Sequence, residues 1–541
     1  MSVDFDGNDT YDYIVAGAGS AGCVLANRLS ADPSKRVLLL EAGGRDWYPW
    51  IHIPVGYFKT LHNPRTDWSY KTEPDPGLNG RSIDWPRGKT LGGSSSINGL
   101  LYVRGQRQDY DYWRQLGNTG WAFEDVLPYF KRSEDQQNGA DEYHGVGGGL
   151  AVQNMRAKRE ICEALIDAAV ELGLPRNEDY NGVSQEGAAY YQQTARNGLR
   201  CSTAVGFLKP VKNRENLDIV THALIEKVLM KDAAAIGIAV SHKGAPRKFG
   251  LKPGGEVILS AGAIGSPQIL QLSGIGPGAL LSEHNIPVLK ELRGVGQNLQ
   301  DHLQIRTVYE VNVPTLNEEI NNFFRRMMIG MQYVFARTGP MSMGASQVAI
   351  FAKTQPEMEV PDIQYHFQPL SAEKPGIVMH PFRGVTMSVC QLRPESKGRI
   401  EITSSDPKAY PAIHPNYLAT EKDQQTAIDA LKFTRKLVNT NVMSPYIVRE
   451  YLPGPEVKTD DQLLDCARNI AQTIYHPTST CKMGSDDLSV VDERLKVRGI
   501  ANLRVADASI MPSIVSGNTN APAIMIAEKA SDMIIEDSRK H

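Results

Sequence analysis

The chain has 541 residues, 41% of them apolar and 22% charged, with a net charge of −3. That length implies two or three domains rather than one. The small net charge and the scatter of lysine and arginine provide no field for nucleic acid, which excludes that class of function.

The N-terminal segment MSVDFDGNDT lacks the basic start and apolar stretch of a signal peptide. Residues 11–16 (YDYIVA) form a short β-branched and aromatic run, read as a buried strand. GAGSAG follows, then a helix to about Ser30, then a second strand at 36–41 (RVLLLE). This is the size of a βαβ unit. Residues 45–90 read as an irregular excursion, 107–132 as helical, 139–149 as a glycine-rich loop and 160–173 as an amphipathic helix. Short strands run from 217 to 262, ending in GGEVILSAGAIGSP and a helix at 266–273. The stretch 300–465 mixes a strand at 385–392 with a helix at 423–439, and a last helix is expected at about 522–537. No run approaches the roughly 18 uninterrupted apolar residues of a spanning helix. The six cysteines form no CxxC pair and no HxxxH appears, so neither a disulfide framework nor a metal is expected. They read as reduced thiols of a cytoplasmic protein. A surface patch would suffice for peripheral attachment at the inner membrane, which the sequence leaves open.

Gly17, Gly19 and Gly22 make the GxGxxG spacing. The first allows the tight turn, the second lets a pyrophosphate reach the backbone, and the third lets helix and strand pack closely. Ser20 and Ala21 begin a helix whose free N–H groups suit that pyrophosphate. Glu41, followed by Ala42, ends the second strand where an acid binds a ribose hydroxyl. An acid there argues against a 2′-phosphate, hence against NADP, and does not separate FAD from NAD.

Five further segments do separate them. GKTLGGSSSIN (88–98), GAIGSPQILQLSGIG (262–276), YHPTSTCKMG (475–484), LRVADAS (503–509) and GNTNAPAIMIAEKA (517–530) closely resemble, in order, the signatures of the glucose–methanol–choline (GMC) oxidoreductases. The nearest branch is that of bacterial choline-dehydrogenase-like and aliphatic alcohol dehydrogenases. The resemblance implies an α/β architecture. A discontinuous Rossmann-like FAD-binding domain (1–155, 200–300, 470–541) would be joined to an α+β substrate domain with an antiparallel sheet (156–199, 301–469). It places Gly93, Asn98, Gly99, Leu100 and Leu101 along the flavin and pyrophosphate, Asp507, Ala508 and Thr519 on the cofactor, and Val228 against adenine. Some members tether FAD through a histidine where this chain has Ile97, so noncovalent FAD is expected.

Oxidising an alcohol by hydride transfer requires a base for the hydroxyl proton, and histidine suits that role. The resemblance assigns the base to His476. Its partner is expected to be Asn520, which lies 520 − 476 = 44 positions on; Asn518 fits a capping role better. Related chains often read HPxGTCxMG, where this one has Ser479 for the glycine, so a small local adjustment is expected. Tyr475 either lines the pocket or packs, and His366 reads as a core histidine. Cys390 and Arg393 resemble a string of the photodecarboxylase branch. All six tryptophans precede residue 122, so the substrate domain offers none for a choline cage. The expected substrate is an uncharged primary alcohol, with oxygen, a quinone or another carrier as electron acceptor. Choline oxidation, and a lyase on the same scaffold, are the alternatives.

Overall fold

The computed structural model describes residues 9–373 and 378–539. The polar N-terminal segment, residues 1–8, lies outside the described residues.

The first sheet is built on the strand Thr10–Ala16. Val37–Glu41 lies parallel on one side of it, with Leu217–Thr221 beyond. On the other side lies the fifteen-residue strand Ala245–Leu259. Its first part runs antiparallel to Ala234–His242, which pairs in turn with Ala223–Lys231. Its last part runs parallel between Thr10–Ala16 and Leu503–Val505. A central parallel strand is covered on both faces, and this explains the unbroken apolar runs IVA and VLLL. Helices Ser20–Leu29 and Asn520–Ser538 pack against each other, and Arg28 of the first pairs with buried Glu528 of the second at 2.7 Å.

The second sheet is antiparallel. Its order is Ile447–Leu452, Leu303–Val311, Gly384–Gln391, Ile363–Gln368, Val348–Ala352 and Gly187–Tyr190. Gln472–Thr473 also pairs with Leu303–Val311, from within the C-terminal segment assigned to the cofactor domain. Alternation along these strands separates two faces. Ile305, Tyr365, Phe367 and Met387 join the apolar core against helices Glu160–Glu171 and Glu421–Val438. Gln304, Arg306, His366 and Gln368 point the other way, into the large cavity.

The expected helix at 107–132 is two helices, Arg107–Gln115 and Phe123–Ser133, each opened by an aspartate, Asp109 or Asp125, that accepts from the backbone N–H of the residue before the helix. The excursion at 45–90 carries only short helical turns and two-residue strands. Two helices in the middle of the chain, Phe323–Ala336 and Asp460–Ile470, were not anticipated.

Candidate active site

A cavity of about 560 Å³ runs from the GxGxxG turn to His476. Its floor is glycine by necessity. A Cβ on Gly22 would lie 1.8 Å from the Gly17 carbonyl oxygen, and one on Gly93 would lie 2.7 Å from the Gly19 Cα. Gly22 therefore serves helix–strand packing behind the turn, while the 93–101 loop is pressed against the turn itself. Glu41 accepts from the Ala18 N–H at 3.1 Å and the Gly43 N–H at 2.8 Å. Burial still pushes its carboxyl up to about 7. Asp507 accepts from the Gly262 N–H and the Ser266 hydroxyl, which joins the C-terminal strand to the turn before helix Gly262–Leu272. Asn98 is held by Arg200, whose guanidinium reaches the Asn98 side chain at 2.6 Å and its carbonyl at 2.8 Å. Arg200 has no carboxylate partner among the described residues, and burial lowers its pKa to about 9.

The loop bearing His476 is clamped to the start of the second sheet. Asp301 accepts from the His476 N–H at 2.8 Å, from Thr473 at 2.6 Å and from the Tyr417 hydroxyl. Tyr475 sits in the left-handed region at φ +70, its carbonyl held by Arg87 at 2.7 Å, and its side chain lines the cavity. Ser479 adopts φ +76 and is fully buried, its N–H bonded to the Ala508 carbonyl and its hydroxyl to Thr478. Serine therefore stands in the left-handed region and bears its steric cost, roughly 1–2 kcal/mol for a non-glycine residue.

The hydrogen bonds around His476 fix its tautomer. His302 Nε2 lies 3.0 Å from the Leu392 carbonyl, which can only accept, so the His302 proton is on Nε2. Burial lowers the His302 pKa to about 4, so its Nδ1 carries a lone pair. That lone pair faces His476 Nδ1 at 3.0 Å, so His476 donates from Nδ1. From the other side, Tyr191 donates to the Tyr365 carbonyl and Gln364 donates to Tyr191 and to Asn518 Oδ1. This turns the Asn518 amide so that its N–H donates to His476 Nε2 at 3.0 Å. Both chains leave a lone pair on His476 Nε2. Burial, with His302, His366 and Arg87 nearby, holds the ring well below the usual imidazole range, so it is neutral.

The sheet face opposite carries His366, Gln304, Arg306 and Gln368. His366 is buried, stacked on Tyr191 with ring centroids 5.5 Å apart, and neither of its ring nitrogens has a partner. Arg306 forms no ion pair among the described residues; its one bond is a long one to Gln368 at 3.5 Å. Among the described residues, the only carboxylates lining the cavity are Glu41 and Asp507, and both are engaged by the dinucleotide turn and its neighbours.

Residues 11–304 match the N-terminal part of the GMC oxidoreductases and residues 394–527 the C-terminal part. The chain belongs to the GMC oxidoreductase family. It is 44% identical over 527 residues to the alcohol dehydrogenase [acceptor] of Pseudomonas putida, covering 97% of this chain and 96% of that one. It is 42% identical over 529 residues to an oxygen-dependent choline dehydrogenase of Pseudomonas fluorescens, covering 97% and 93%. Among solved structures, pyridoxine 4-oxidase from Mesorbium loti superposes with a TM-score of 0.89 at 29% identity, covering 98% of this chain and 100% of that one. A variant of Aspergillus oryzae formate oxidase superposes at 0.91 and 27%, covering 99% and 100%. This GMC oxidoreductase is therefore an FAD-dependent enzyme acting on CH–OH donors.

In the GMC oxidoreductase, Gly17, Gly19, Ser20, Ala21, Glu41, Ala42, Gly93, Asn98 to Leu101, Asp507, Ala508 and Thr519 all line the cavity. Val228 does not: its N–H is taken by the Ser273 hydroxyl at 2.9 Å, and Leu224 and Ile225 of the same strand face the cavity instead. The Asn520 expectation is corrected. The last helix begins at Asn520, which turns that side chain toward the dinucleotide helix, where it accepts from Ser20 at 2.7 Å. Asn518, still in the loop, meets His476, and Thr519 occupies the cap position without a side-chain bond. His366 is buried as expected, yet its ring also faces the cavity. The substrate-domain segments bring no tryptophan to the cavity, but the 45–90 excursion brings Trp68 to its wall; Lys89 lies 4.4 Å over that ring. Cys390 is buried in its strand and Arg393 pairs with Asp109 at 2.8 Å; neither lines the cavity. His302, Asp301 and Arg306 were missed, although all three sit in the string QDHLQIR, which runs into the strand Leu303–Val311 on the cavity face.

Proposed function

We propose that the protein oxidises a primary, uncharged aliphatic or aromatic alcohol to the aldehyde, with His476 as the base. The observation that carries this reading is the lone pair on His476 Nε2, fixed from both sides. A substrate hydroxyl that displaces the Asn518 amide from Nε2 donates its proton to that lone pair. The freed Asn518 N–H then turns to the substrate oxygen. His366, with both ring nitrogens unpartnered, is available to the same oxygen or to its neighbour. Noncovalent FAD, when bound along the glycine turn and the 93–101 loop, supplies the hydride acceptor. Electrons then leave to oxygen, a quinone or another carrier. Six unpaired cysteines support a cytoplasmic location for this chemistry.

Choline is the second reading, favoured only by its oxidising relatives. The cavity argues against it: a quaternary ammonium would meet Arg306 and Arg87 with no free carboxylate. Two like charges about 6 Å apart at an effective dielectric of about 20 repel by about 3 kcal/mol. The test is anaerobic bleaching of the flavin in the dark by choline and by its neutral isostere 3,3-dimethylbutan-1-ol. The isostere should reduce the flavin with about a hundredfold higher kcat/KM. Preference for choline would refute the uncharged-substrate reading. Failure of every alcohol to bleach the flavin would favour a lyase. His476→Ala should abolish bleaching while FAD stays bound.

A further inference from the structure

The helix Phe323–Ala336 (FFRRMMIGMQYVFA) turns its apolar side outward. Phe323, Phe324, Met327, Met328, Val334 and Phe335 are all exposed, Phe324 by 70% and Phe335 by 86%. Of the whole helix, only Tyr333 is buried, and its hydroxyl ties the inner face to the Gly198 carbonyl at 3.0 Å. At 100° per residue the exposed apolar side chains cover one continuous arc of about 140°. Arg325 flanks that arc on one side and Arg326 on the other, and Arg337 ends the helix. Arg326 and Arg337 have no ion-pair partner among the described residues, while Arg325 is paired with Glu318 at 3.1 Å. The sequence holds no Asp or Glu between Glu319 and Glu357.

We infer that this helix is a docking surface for an anionic phospholipid bilayer, lying in the plane of the interface. The apolar arc would sit at the level of the acyl chains, and the flanking arginines would reach outward to lipid phosphates. Charge decides between this occupant and a second copy of the chain. A two-fold interface through the same helix would set arginine-flanked arcs against each other, with no acid on the helix to answer Arg326 and Arg337. The surface also adjoins the cavity wall. The preceding helix Leu316–Asn321 packs Leu316 and Ile320 with Tyr57 and Phe58, and the latter two line the cavity. A bilayer on this face would bring a membrane-dissolved alcohol or electron carrier to the side of the molecule where the cavity wall lies. The surface does not depend on which alcohol is oxidised.

The test is flotation of the FAD-loaded enzyme with vesicles of phosphatidylcholine alone, or of phosphatidylcholine mixed with phosphatidylglycerol. The two unpaired arginines at about 1 kcal/mol each predict partition roughly thirtyfold stronger onto the anionic vesicles. That difference should collapse at high salt. The double variant Phe324→Asp, Phe335→Asp should no longer float, yet should keep its flavin and its turnover of a water-soluble alcohol. Absence of flotation by the parent enzyme would overturn the inference. So would equal flotation of the variant, or a dimer in sedimentation equilibrium that the variant dissociates while the parent ignores vesicles.

Discussion

Replacing His302 with phenylalanine probes the tautomer of His476 without touching that residue. His302 is fully buried, and the aromatic ring fills nearly the same space. What disappears is the Nδ1 acceptor 3.0 Å from His476 Nδ1, together with the Nε2 donor to the Leu392 carbonyl, which His302→Asn also loses. Keeping the proton on Nδ1 then leaves a buried donor unsatisfied, at about 1–3 kcal/mol. The imidazole can avoid that cost only by carrying its proton on Nε2, against the Asn518 N–H, where it no longer serves as a base, so the cost sets the upper limit of the shift. A penalty of that size lowers the competent tautomer by at most about 5- to 150-fold. The rate constant for flavin reduction, followed anaerobically by stopped flow at saturating alcohol, should fall by that factor. His302→Asn retains an acceptor at the Nδ1 position and should recover most of the loss. Bound flavin, read from its visible absorbance, should be unaffected in both. A phenylalanine variant that reduces its flavin at the parent rate would refute the tautomer argument. Equal losses in both variants would assign the effect to packing instead.

Three further outcomes follow from the geometry. His144 is buried between Glu134 and Asp179, each 3.1 Å from a ring nitrogen; burial opposes its charge, but the two acids outweigh it and raise its pKa to about 9. A folded-state pKa above the unfolded 6.5 means that this stability is fully present below about pH 6.5 and is lost as pH rises through 9, about 3 kcal/mol in all. Thermal melting should therefore weaken across that window in the parent and less so in His144→Gln. Ser479→Gly relieves the left-handed strain but gives up the Thr478 bond and frees the unfolded chain, so the melting temperature should stay within about 2–4 °C and activity should be retained. Denaturation should release all the flavin into the supernatant, because Ile97 offers no nucleophilic atom; a yellow precipitate would contradict this.

Contiguous features were legible in the sequence because their chemistry is local. The strand, the glycine turn, the helix and the acid at Glu41 lie within about thirty residues, and their spacing alone brings them together. What was missed depends on direction or on distance. Ile225 and Val228 share one strand, but an irregularity between Ile225 and Lys227 breaks its alternation, so counting positions does not tell which residue faces the cavity. Asn518 and Asn520 differ by whether the residue lies before or within the first turn of a helix, a boundary that sequence locates only loosely. His302 meets His476 across 174 positions, brought into contact by the pairing of Leu303–Val311 with Gln472–Thr473 and by the Asp301 clamp. The helix at 323–336 went unread because an apolar arc interrupted by arginines resembles an ordinary buried helix until its outer side proves to be uncovered.

The strand Ala245–Leu259 has a consequence for biosynthesis. Its inner half needs Leu503–Val505 as a neighbour, and the dinucleotide helix needs Asn520–Ser538 to cover it. Leu503 follows Leu259 by 503 − 259 = 244 residues, so both partners leave the ribosome long after that strand. At roughly 5–20 residues per second, the N-terminal half of the cofactor fold waits about ten seconds or more with an open sheet edge. Chaperone dependence during synthesis, and loss of flavin loading on removal of the last forty or so residues, follow from that delay.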